Sequence, residues 1–162
     1  MMSKRRPAVA FAAVLITAVT AASAVYTPAQ AAPEAATGTP TKAPATCFAA
    51  SCHGLDPIET HCVDDAVTID DVVLDGRIVR LRYSAQCRAA WAQLWYGKPG
   101  DRAYVRTVEN GQTVAVNSIT VMPWNGTSVY TPMVNDKDLK AQACTEFDHL
   151  PGDTGTKCTI FY

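Results

Sequence analysis

Eleven residues, CHGLDPIETHC from Cys52 to Cys62, hold two cysteines, two histidines, an aspartate and a glutamate. Thiolates and imidazoles in one short stretch suggest zinc first. Zinc fingers, however, place their cysteines two to four residues apart with histidines at similar spacing. Here Cys52-His53 and His61-Cys62 are adjacent pairs, and neighbours on an extended chain point to opposite sides. Calcium suits the stretch better, because Asp56, Glu59, Asp64 and Asp65 supply hard oxygen ligands. Asp56, Asp64 and Asp65 are therefore the candidate metal ligands, although the spacing is not that of an EF-hand. Asp56 before Pro57 also reads as a turn starter whose carboxylate bonds local backbone amides.

Catalytic constellations are missing from the pattern. A serine triad needs a histidine base, and the chain has only His53, His61 and His149. No G-x-S-x-G elbow is present, and Ser84 lacks the glycines that such a turn requires. Asp64-Asp65 and Asp70-Asp71 are sequence neighbours that diverge in space, so neither is an acid/base pair. No catalytic residue and no cofactor are assigned. Flat aromatic side chains remain as candidate binding surface. Trp91 belongs to the core, whereas Trp95 and Trp124 flank turns and are the candidate binding residues. Arg80 and Arg82, on one strand face, read as a solvated face.

The chain start bears on all of this chemistry. Lys4, Arg5 and Arg6 precede an apolar run from about Ala8 to Val19, and small residues lead to Ala29-Gln30-Ala31. That order is a Sec-type signal peptide, expected to span residues 1–31, with Ala22-Ser23-Ala24 as a competing cleavage site. The run is short and rich in Ala and Thr for a membrane span. The full chain carries 14 Lys+Arg against 15 Asp+Glu; cleavage removes three basic residues and leaves 11 against 15, a net of −4. A mildly acidic exported domain offers no footprint for nucleic acid or anionic lipid.

All six cysteines, Cys47, Cys52, Cys62, Cys87, Cys144 and Cys158, follow the leader. An even number in an exported chain predicts three disulfides, with the pairing left open by the spacing. Residues 32–46 contain only Ala, Pro, Thr, Gly, Glu and Lys, the composition of a disordered linker. One disulfide-bonded domain is then expected over residues 47–162, as a monomer.

The elements that must position these residues are strands. Val79, Leu81 and Tyr83 alternate with Arg80 and Arg82, as in a half-buried strand. Ser84 could cap a single turn before Trp91–Tyr96 resumes as a strand with apolar side chains on both faces, hence central in its sheet. Gly97 to Asp101 is a turn. Ala103–Val108 and Thr113–Val121 flank Asn110-Gly111, a tight-hairpin signal, and Asn125-Gly126 separates Val121–Trp124 from Thr127–Thr131. Val67–Leu74 is a weaker strand and Thr159–Tyr162 a short last one. Asp136–Ala143 is the one helical candidate, with Asp136 as cap and Leu139 and Ala143 on one side. The fold class is thus all-β, a small disulfide-stapled sandwich or barrel with at most one short helix.

The order Cys47, Cys52, Gly54, Asp56-Pro57, Cys62, Asp65-Ala66, Thr68, Leu81-Arg82-Tyr83-Ser84, Cys87 to Ala90 and Trp91-Ala92 resembles a family of small exported actinobacterial proteins related to the YjfA-type proteins of bacilli, a domain of unknown function. Met133 and Ala143-Cys144 extend the likeness, so that it covers most of residues 47–146. The resemblance implies export and a compact disulfide-bonded domain. It also implies an outward-facing binding or sensing module, since similar domains occur behind helix-turn-helix regulators. It supplies no ligand, and Cys158 with the tail lies outside it.

The functional expectation is a secreted, non-enzymatic binding module whose partner is a cell-wall component or secreted protein. A small secreted hydrolase of wall polymer or peptide is the rival, and a secreted protease inhibitor the third reading.

Overall fold

A computed structural model describes residues 42–148 and 154–162. The expected signal peptide and the linker up to residue 41 lie outside the described residues. Thr46 donates its N–H to the Thr60 carbonyl at 3.0 Å.

Among the described residues, nine strands form two antiparallel sheets. The first three make a meander: β1 (Val67–Leu74), β2 (Arg77–Ser84) and β3 (Ala89–Trp95). The chain then crosses to the second sheet for the hairpin β4 (Arg102–Glu109) and β5 (Gln112–Thr120), and returns with two short strands, β6 (Val129–Tyr130) and β7 (Val134–Asn135). It ends in the second sheet with β8 (Lys140–Asp148) and β9 (Thr154–Cys158). One sheet runs β1-β2-β3-β6, with β7 also on β3, and the other runs β5-β4-β8-β9. This is the disulfide-stapled β-sandwich that period-two patterning implies.

The inner faces meet in an aliphatic core. Val79 and Leu81 from β2, Ala90, Ala92 and Leu94 from β3, Ala103 and Val105 from β4, and Ala141 and Ala143 from β8 are all buried in it. Small alanines let the sheets approach, while Val, Leu and Ile fill the gaps. Strand β3 is buried on both faces, as its composition requires, because Ala89 and Trp91 on the outer face pack against the disulfide-bonded N-terminal segment. That segment contains two short 3₁₀ turns, Ala49–Cys52 and Cys62–Asp65.

Two hairpin turns share one geometry. Asn110 and Gly111 have φ of 51° and 79°, and Asp75 and Gly76 have 46° and 74°. Both pairs have the positive φ that a twisted two-residue turn needs. The Asn110-Gly111 hairpin was expected; Asp75-Gly76, which carries the same signal, joins β1 to β2 and had not been assigned.

Three sequence expectations are corrected. The helix over Asp136–Ala143 does not form, and residues from Lys140 onward are strand β8. Lys140-Ala141-Gln142-Ala143 has good helix propensity, but β8 sits between β4 and β9 and hydrogen-bonds on both edges, so pairing overrides local preference. The last strand is Thr154–Cys158 rather than Thr159–Tyr162. The final residues still bond to β8: Tyr162 and Ala141 exchange backbone hydrogen bonds, and Thr159 donates its N–H to the Ala143 carbonyl while its hydroxyl accepts the Ala143 N–H. Residues 121–124 leave the sheet after β5, where Pro123 has no N–H to pair and the Asn125 side chain instead bonds the Met122 N–H and the Thr120 carbonyl.

Candidate functional site

The disulfides organise the segment that the sequence singled out. Cys47 bonds Cys52, Cys62 bonds Cys87, and Cys144 bonds Cys158. Cys52 and Cys62 thus each take a partner outside the CHGLDPIETHC stretch, which leaves both of its ends anchored. The Cys144–Cys158 bond joins directly opposed residues of β8 and β9.

Within the loop Asp56 and Thr60 have defined tasks. Asp56 Oδ1 accepts the N–H groups of Ile58 at 2.7 Å and Glu59 at 3.4 Å. Its carbonyl accepts both the N–H and the hydroxyl of Thr60, which starts the turn before Pro57. The other carboxylate oxygen accepts the Tyr130 hydroxyl at 3.2 Å. Burial, with the adjacent Asp56 charge and hydrogen bond, pushes the Tyr130 phenol up from its ordinary value, so Tyr130 remains a donor. The main chain of Gly54 and Leu55 bonds both backbone groups of Met133. Through Tyr130 and Met133, the loop is tied to the β6–β7 region.

The second acidic position braces a different turn. Asp65 accepts the Ser84 hydroxyl on one oxygen and the Gln86 N–H, at 2.9 Å, on the other. Ser84 Oγ in turn accepts the Cys87 N–H at 3.0 Å, the single capped turn that Ser84 suggested. Cys62–Cys87 and Asp65–Ser84 therefore join the same two chain segments, one covalently and one by hydrogen bonds. Asp64 lies 3.6 Å from His61 Nδ1. Among the described residues the carboxylates of Asp56, Asp64 and Asp65 do not gather into a ligand cluster; the grouped metal-type ligands are Cys47, Cys52, Cys62 and Cys87. His53 is exposed, and His149 lies outside the described residues.

A groove opens between this loop and the segment leading into β6. Its volume is about 500 Å³, and Leu55, Ile119, Val129 and Pro132 give it apolar walls, with Asp56, Glu59, Asn125, Ser128 and Tyr130 as polar groups. Trp124, beside Asn125, is 80% exposed. Trp95 is placed differently: it is half-buried on the outer face of β3, with the Arg80 guanidinium 5.0 Å over its ring. Arg82 donates to the Thr68 hydroxyl and the Ala66 carbonyl. The two arginines thus engage neighbours on their sheet face.

Sequence reasoning counted Tyr130 only among the flat aromatics and missed Asn125 as a groove residue. The Tyr130–Asp56 hydrogen bond spans 74 positions, and local spacing carries no trace of it.

The model of one family, Protein of unknown function (DUF2690), matches residues 50–144. The chain belongs to that family. The DUF2690 match includes the Cys52–Cys62 loop, the Asp65–Ser84 brace, Cys62–Cys87 and the groove residues, while Cys47, Cys158 and β9 lie beyond its limits. No curated protein and no solved structure matches the chain. No helix among the described residues is long and apolar enough to cross a membrane.

Proposed function

We propose that this chain is an exported, non-enzymatic binding module of the actinobacterial, YjfA-like kind, acting at the cell envelope or outside the cell, and that the groove beside the Cys52–Cys62 loop takes its partner. The observation carrying this reading is the groove itself, with apolar walls and carboxylate, amide and hydroxyl groups side by side; Trp124, next in sequence to its lining residue Asn125, is exposed. Such a surface suits a polyhydroxylated wall polymer, whose hydroxyls bond to Asp56, Glu59 and Asn125 while a ring face stacks on Trp124. Three disulfides and the signal-like start support export.

The domain preceded by its linker, residues 32–162, is incubated with isolated cell walls and, separately, with secreted proteins. Co-sedimentation with walls is expected, reduced about tenfold or more in Trp124→Ala, a loss of the size that removing an anchoring aromatic gives. Failure to recover a partner from either preparation defeats the proposal. Binding that is unchanged in Trp124→Ala and in Glu59→Gln moves the contact away from the groove. Turnover of wall polymer or peptide in a zymogram would instead favour the hydrolase reading.

A further inference from the structure

The two N-terminal disulfides lie against each other. All four Sγ atoms of Cys47, Cys52, Cys62 and Cys87 lie within 4.8 Å of one another, with Cys47 half-buried and the other three buried. Across the two bonds, Cys47 Sγ is 3.6 Å from Cys62 Sγ. A tetrahedral zinc tetrathiolate with Zn–S bonds of about 2.3 Å separates its sulfurs by about 3.8 Å; the non-bonded Cys47–Cys62 pair already stands near that spacing, and the two bonded pairs must part on reduction to reach it. We infer that in its reduced state this domain binds one zinc ion through Cys47, Cys52, Cys62 and Cys87, and that zinc and the disulfide pair are alternative occupants of one site.

Three further features support this assignment. Three of the four positions, Cys52, Cys62 and Cys87, are held by contacts other than the sulfur bonds, and Thr46 beside Cys47 donates to the Thr60 carbonyl. Cys87 is fixed by its N–H to Ser84 Oγ and by its carbonyl, which accepts the Ala49 N–H at 2.7 Å. Cys62 is followed by the Asp65 brace, and Cys52 by the Gly54–Met133 pairing. Reduction would therefore leave the thiols near their present places. The Thr60 hydroxyl lies 3.2 Å from Cys62 Sγ and 2.7 Å from the Asp56 carbonyl; by turning its proton it can donate to a thiolate, the hydrogen bond that outer-shell groups supply at metal sites. Finally, Ala45, Ala66, Ala89, Trp91 and Met133 pack around the cluster and shield it from water.

The chemistry balances. A dithiol reductant delivers two electrons and two protons to each disulfide and is itself oxidised to a disulfide. The four thiols then bind Zn²⁺ as thiolates and release four protons. In the reverse direction, a disulfide-class oxidant accepts four electrons in all, the two S–S bonds re-form, and zinc leaves. Zinc disfavoured by the Cys-His spacing becomes credible only because Cys47 and Cys87 join Cys52 and Cys62 in space. Both occupants clamp the two ends of the loop between Cys52 and Cys62.

The test uses the full chain, reduced with an excess of a phosphine in denaturant and returned to native buffer with Co²⁺ as the probe. One cobalt per chain is expected, with the intense visible bands of a tetrahedral tetrathiolate, and Zn²⁺ should displace it. The double variant Cys144→Ser, Cys158→Ser should keep the spectrum, and Cys47→Ser, Cys62→Ser should lose it. Reoxidation should release the metal and restore Cys47–Cys52 and Cys62–Cys87 in a peptide map. Absence of the tetrathiolate bands in the reduced wild type overturns the inference, whatever its fold by circular dichroism. So does their loss when only Cys144 and Cys158 are replaced.

Discussion

Asp136 is strongly perturbed in its acidity. It is buried, and its Oδ1 has no hydrogen-bond partner. Burial lifts its carboxyl to about 7, against the opposing pull of Arg88. A raised carboxyl is held protonated in the folded state, so its stabilising share is complete below the ordinary carboxylate range and lost as pH rises through about 7. Between about pH 4 and about pH 8 the wild type should lose about 1–2 kcal/mol that Asp136→Asn retains, after allowance for partial solvent access. Urea denaturation of both proteins across that range measures it, and parallel pH profiles would refute it. Another residue-scale feature, the buried pairing of Arg77 with Asp101 at 2.8 Å, ties the start of β2 to the turn before β4. Asp101 hydrogen bonding raises the Arg77 pKa against the effect of desolvation. Nothing in the local sequence marks these two residues as partners.

At the scale of elements, two glycines act for different reasons. Gly111 has φ of 79° with open space where a Cβ would sit, so Gly111→Ala pays only for left-handed backbone, about 1 kcal/mol. Gly97 sits where a Cβ would come within 2.8 Å of Val121 Cγ2 and 3.0 Å of Leu94 Cδ2, and Gly97→Ala should cost about 1–3 kcal/mol by overpacking. Thermal melts of the two variants should rank them in that order. A reversed order would mean that the Gly97 turn yields more readily than the hairpin. The hairpin and the alternation of β2 were legible because turn chemistry and period-two burial are local properties. The identity of β8 was not, because its strand state comes from β4 on one edge and β9 on the other.

For the molecule as a whole, the disulfides divide the labour. One closes a short loop within the N-terminal segment, one ties that segment to the turn leading into β3, and the third ties β8 to β9 within the second sheet. Non-reducing peptide mapping should recover Cys47–Cys52, Cys62–Cys87 and Cys144–Cys158, with a native mass six protons below that of the reduced chain. A Cys47–Cys62 link, between sulfurs already in contact, would instead reveal exchange within the cluster. Loss of Cys62–Cys87 by double replacement with serine should destabilise the domain by about 2–4 kcal/mol, measured with Asp65–Ser84 still in place.

The sequence by itself determined the fold class, the central place of β3, the Asn110-Gly111 hairpin and the presence of three disulfides. Each rests on composition or on spacing over a few residues. Only the tertiary structure decided which cysteines pair, that Asp56 meets Tyr130, and that the Asp65 carboxylate braces Cys87. It alone brought four sulfurs within 4.8 Å of one another and opened a groove beside the Cys52–Cys62 loop. Those outcomes depend on how two sheets and a clamped loop stack. That arrangement is set by the sum of many weak packing contacts between residues far apart in the chain, and no short window of sequence contains that sum.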